Sequence, residues 1–98
     1  MADNNRPPRW VVREYNYATK EETFKVKVRR ADTMERTYRT LLAEHKVDPA
    51  DVNSYVAAAK KAFAQPDVQE FEAIIGLYAI TIQHLPADRS SGTERNPQ

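Results

Sequence analysis

Apolar and basic residues alternate over Phe24, Lys25, Val26, Lys27, Val28 and Arg29. A period of two puts Phe24, Val26 and Val28 on one face of a strand and the basic side chains on the other. Residues 10–17, from Trp10 to Tyr17, are rich in β-branched and aromatic types and read as a partner strand. Their pattern is less clean, because Arg13 would share a face with Val11, Tyr15 and Tyr17. Residues 18–23 serve as a hairpin connection without the Asn-Gly or Asp-Gly of a tight turn. A helix through 18–30 competes with this reading. Lys20, Glu21 and Glu22 favour it, and the alternation of Val26 and Val28 opposes it.

Beyond residue 30 the apolar spacing changes to that of helices. Three starts stand out: Asp32 before Glu35, Asp48 before Pro49 and Asp51, and Asp67 before Glu70. In each, an aspartate can accept from free N–H groups of a first turn, and a later carboxylate sits near the positive end of the dipole. Pro49 suits the first helical position, where a missing N–H costs nothing. Pro49, Pro66 and Pro86 mark the stops. The expected helices are 33–45, 49–64 and 68–84. Met34, Tyr38, Leu41 and Leu42 stripe the first, and Val52, Tyr55, Val56, Ala59 and Phe63 the second. The third carries Phe71, Ile74, Ile75, Tyr78, Ile82 and Leu85, widened by Leu77 and Ile80, and is expected at the centre of the fold. Its β-branched residues and Gly76 oppose a helix, so a short helix to Ile75 followed by a strand over 77–83 is the alternative.

The fold class predicted is α+β, an N-terminal β-hairpin followed by three helices in a small bundle. Residues 1–9 read as a disordered basic arm, 10–85 as one domain, and 86–98 as a disordered tail. The 98 residues suffice for one domain with a modest core. The polar start lacks the apolar stretch of a secretory signal, and the longest apolar-rich segment, 73–82, is about half the length of a membrane span. A cytoplasmic protein without membrane attachment is expected.

Chemistry is sparsely represented. With no cysteine, disulfides, zinc-thiolate sites and cysteine nucleophiles are excluded. The only glycines, Gly76 and Gly92, make no phosphate cradle. His45 and His84 fall near predicted helix ends, where they would complement the negative end of the dipole. Metal ligation by either would need a residue from elsewhere, for example Glu14. Glu21 with Glu22 and Glu70 with Glu72 read as solvated or capping carboxylates. No enzymatic role, cofactor or small-molecule substrate is expected.

Charge is uneven although the net formal charge is +1. Residues 1–30 carry eight basic and four acidic groups, and residues 67–98 carry two and five. The function expected is that of a small non-enzymatic protein-interaction module, a self-associating regulatory or accessory protein. Its surface is expected to include Trp10, Tyr15, Tyr17, Leu77 and Tyr78, because aromatic anchors dominate interfaces. Its partner is expected to include a second copy as a homodimer. The alternative is a small DNA- or RNA-binding regulator. Arg6, Arg9, Arg13, Lys25, Lys27, Arg29 and Arg30 would meet phosphates, with an aromatic stacking on a base.

Overall fold

The computed structural model describes residues 9–85. Their elements are β1 (Trp10–Asn16), β2 (Glu21–Val28), α1 (Ala31–Glu44), α2 (Pro49–Phe63), β3 (Glu70–Ile75) and β4 (Tyr78–His84). The strands form one antiparallel sheet in the order β2-β1-β4-β3. This overturns the expected hairpin with three helices. The fold is α+β, but with a four-stranded sheet and two helices. β1 is not half of a free-standing hairpin, since it pairs with β2 along one edge and with β4 along the other.

The largest correction falls at 68–84. Gly76 adopts φ +61° and opens a two-residue turn that joins the register partners Ile75 and Tyr78. Glycine at the first central position suits a tight hairpin turn of the primed kind. Cut at that point, the segment is two strands. Phe71, Ala73, Ile75, Ile80 and Ile82 pack toward the helices, while Ile74 and Ala79 fall on the other side. The β-branched content that weakened the helix reading now fits a pleated surface. Asp67 caps no helix; of the alternative, the short helix to Ile75 fails because Glu70–Ile75 is strand, while its strand over 77–83 matches β4 at Tyr78–His84.

Both helices cover one face of the sheet. Met34, Tyr38, Leu41 and Leu42 of α1 and Val52, Val56 and Ala59 of α2 meet Trp10, Val12, Ala73, Ile80 and Ile82 in a single core. α2 starts as its sequence implies, with Asp48 accepting from Ala50 N–H at 3.2 Å and Pro49 next to it. α1 begins earlier than expected, at Ala31, and Asp32 lies in its first turn instead of capping it. Arg30 occupies the cap position and donates to Asp32 at 3.1 and 3.0 Å, which holds that carboxyl below its usual range. At the other end of α1, Lys46 takes φ +64° so that its N–H reaches the Ala43 carbonyl and that of Val47 the Leu42 carbonyl. The helices are clamped by Glu35, which accepts from Arg39 at 3.1 Å and pairs with Lys60 at 3.0 Å. Lys60 first, then Arg39, keeps the Glu35 carboxyl ionised to lower pH than usual.

Leu85 donates its N–H to the Arg9 carbonyl at 2.8 Å, so the two ends of the described body meet. The expected arm and tail, apart from Arg9, lie outside the described residues. No helix among the described residues is long and apolar enough to cross a membrane.

Candidate interaction surface

With both helices on one side, the alternate residues of the four strands form a second face that α1 and α2 leave uncovered, although Val11 and Ala79 at its centre are buried. Strand pairing arranges them in three rows running from β2 through β1 and β4 to β3. They are Lys27–Val11–Gln83–Glu70, Lys25–Arg13–Thr81–Glu72 and Glu22–Tyr15–Ala79–Ile74. A register shift between Glu14 and Tyr15 makes this last row possible, because it skips Thr23 and brings Glu22 opposite Tyr15.

The face is polar at one end and apolar at the other. Ile74 is 52% exposed, Leu77 60% and Tyr17 48%. Leu77 sits in the β3–β4 turn, and its carbonyl accepts from Tyr17 N–H at 2.8 Å. That bond holds the turn against the end of β1. The Tyr15 and Tyr17 rings meet edge to face with centroids 5.2 Å apart. Asn16 organises this end by accepting from Ala18 and Thr19 N–H at 2.8 and 3.2 Å, while Lys20 at φ +62° turns the chain into β2. The result is an apolar corner of Tyr15, Tyr17, Ile74 and Leu77.

Charge runs across the strands. The β2 side presents Lys25 and Lys27, both exposed, next to Arg13 of β1. The β3 side presents exposed Glu70 and Glu72. The one acidic residue on the β2 side, Glu22, lies 3.8 Å from Arg13.

Of the interaction residues expected from sequence, Tyr15, Tyr17 and Leu77 are thus brought together. Trp10 and Tyr78 point the other way. Trp10 is buried against the helices, stacked on His84 at 4.0 Å and edge-on to Phe63 at 5.1 Å. Tyr78 is half-buried beside His45, and its hydroxyl accepts from Asn16 Nδ2 at 3.1 Å. The helical spacing hides Ile74 as a surface residue by setting it on an apolar stripe; period two across 70–75 is the signal that locates it. Among the phosphate-binding candidates, Arg6 lies outside the described residues, and Arg9 is exposed beside the start of β1. Arg13, Lys25 and Lys27 share the open face, whereas Arg29 and Arg30 lie in the connection to α1 and Arg30 is held by Asp32.

A polar cluster breaks the opposite, helix-covered face. Glu14 is buried there, 2.5 Å from His45 Nε2, and accepts from Thr23 Oγ1 at 2.6 Å. Glu14 of β1 thus meets His45 at the end of α1. Each carboxylate oxygen meets one of these partners, so the arrangement ties the end of α1 to β1 and β2. Burial and nearby Arg9 push His84 below its usual imidazole value. Among the described residues no three His, Asp or Glu side chains are placed to hold a metal ion. No family model, curated protein or solved structure matches this chain.

Proposed function

We propose that the protein is a small non-enzymatic interaction module, self-associating and regulatory or accessory in role, that docks through the open face of its sheet. The observation carrying this reading is the convergence of Tyr15, Tyr17, Ile74 and Leu77, four large side chains from two strands and two turns, at one corner of a face that neither α1 nor α2 covers. Contiguous exposed apolar patches mark interaction sites more often than scattered single residues do. Polar rows next to the corner supply the rim such a site needs.

The nucleic-acid reading draws on Lys25, Lys27 and Arg13 beside Tyr15. It is weakened by Glu22, Glu70 and Glu72 on the same face, which repel phosphates. Sedimentation velocity across a wide concentration range, with a parallel titration of random single-stranded and duplex nucleic acid at low salt, tests the choice. Concentration-dependent association with little nucleic-acid affinity is the expected result. A strict monomer that binds nucleic acid in a steeply salt-dependent way would reverse it.

A further inference from the structure

Resting on that reading of the open face, we infer that its partner is a second copy of this chain, docked face to face about a two-fold axis that lies in the interface and runs nearly along the strands. The argument is one of charge and pattern. Such an axis exchanges the two sides of the sheet while keeping the rows in place. The β2 side of one copy then lies over the β3 side of the other. Lys27 faces the partner's Glu70, Lys25 faces the partner's Glu72, and both pairs occur twice by symmetry. In the third row Tyr15 lies over the partner's Ala79 and Ile74 over the partner's Glu22, and the sheet end bearing Tyr17 and Leu77 stays over the same end of the other copy.

Other two-fold arrangements fail on the same residues. An axis across the strands would lay β2 over β2 and β3 over β3, and the apolar corner over the end bearing Lys27 and Glu70. Extending the sheet edge to edge would juxtapose Lys25 and Lys27 with themselves, or Glu70 and Glu72 with themselves, across an antiparallel pair. Only the strand-parallel axis sets Lys25 and Lys27 against Glu72 and Glu70 while keeping the end with Tyr15, Tyr17 and Leu77 over its own counterpart.

Aligned sheets cross at roughly 30°, so the axis lies about 15° from the strands, and the pairs at the sheet edges shift by roughly one residue. Four strands spaced about 4.8 Å apart and seven residues long give a footprint of roughly 19 by 24 Å. Allowing for side-chain relief, that places the dimer at the small end of specific interfaces, with an affinity expected in the micromolar range. Close charge pairs at its rim make association salt-dependent.

The test is a charge exchange on the full chain, read by sedimentation equilibrium with circular dichroism to show that each variant folds. One variant carries Lys25→Glu and Lys27→Glu, and another Glu70→Lys and Glu72→Lys. Each alone should self-associate at least about tenfold more weakly than the natural chain at low salt, because every cross-copy pair becomes like-charged. Mixed in equal amounts, the two should form a heterodimer at least as tight as the natural homodimer. The variant with all four exchanges should dimerise again. If the natural chain associates and both two-residue variants do so equally well, this docking is wrong while self-association stands. If the natural chain is a monomer at all concentrations, both readings fall. Rescue by mixing is an outcome that neither a folding defect nor nucleic-acid binding would produce.

Discussion

Tyr38 is only 1% exposed, and among the described residues its hydroxyl finds no hydrogen-bond partner. Replacing it by phenylalanine removes one oxygen and little else, since the ring still meets Phe71 edge to face at 6.5 Å. A buried, unsatisfied polar group costs about 1–3 kcal/mol. The space vacated by a single oxygen costs a few tenths of a kcal/mol at about 24 cal/mol per Å³. Relief therefore outweighs loss, and Tyr38→Phe should stabilise the protein by about 1 kcal/mol, which raises Tm by roughly 4–8 °C in a domain of this size. Urea and thermal unfolding at pH 7 measure it. A second arm uses alkali. Burial first, then Tyr55, pushes the Tyr38 phenol far above its ordinary value of 10.0. With the folded value raised, its contribution is fully present below that ordinary value. It is lost as pH climbs beyond, because the unfolded chain releases the proton first. The natural protein should therefore lose stability above pH ~10 more steeply than the phenylalanine variant. A destabilisation of about 0.5 kcal/mol or more at neutral pH would show that the hydroxyl is bonded in the folded protein, and would refute the reasoning.

Gly76→Ala should cost about 1–2 kcal/mol in urea unfolding, since the backbone sits at φ +61°. A Cβ there would meet nothing within 4 Å, so the loss would be a backbone effect without crowding, and a neutral outcome would contradict the turn geometry. His84 is held low by burial and Arg9, so its contribution is present above the ordinary imidazole value of 6.5 and is lost as pH falls through the lower folded value. His84→Phe should flatten that acid limb, followed by the urea midpoint at successive pH values; an unchanged slope would place the titration elsewhere.

Local signals in this chain could be read, and distant ones could not. Asp48 and Pro49 announce α2 because a cap is made by neighbours in sequence. Residues 68–84 misled because Phe71, Ile74, Ile75, Tyr78 and Ile82 fall on one side of an imagined helix by accident of spacing. Ile80 and Ile82 are buried under the helices while Ala79 is buried on the opposite face, so β4 lacks clean alternation. Gly76 was the one local mark of the reversal. At the surface, Tyr15, Tyr17 and Leu77 could be named from their types. Trp10 was misplaced because its burial depends on Phe63 and His84, which reach it only through packing. The meeting of Glu14 with His45 likewise has no sequence signature, since it depends on α1 crossing the sheet.

The bond between Leu85 and Arg9 means that the order of segments along the chain is not imposed by the shape. Linking position 85 to 9 through a few residues, and opening the chain between α1 and α2, would yield the order α2, β3, β4, β1, β2, α1. Neighbours in the sheet would then be neighbours in the chain, and the strands would follow one another as an uninterrupted meander. The pairing of β1 with β4, now the most distant in the sheet, would close through a short loop. Such a rearranged chain has lower contact order and should fold faster than the natural one to the same architecture.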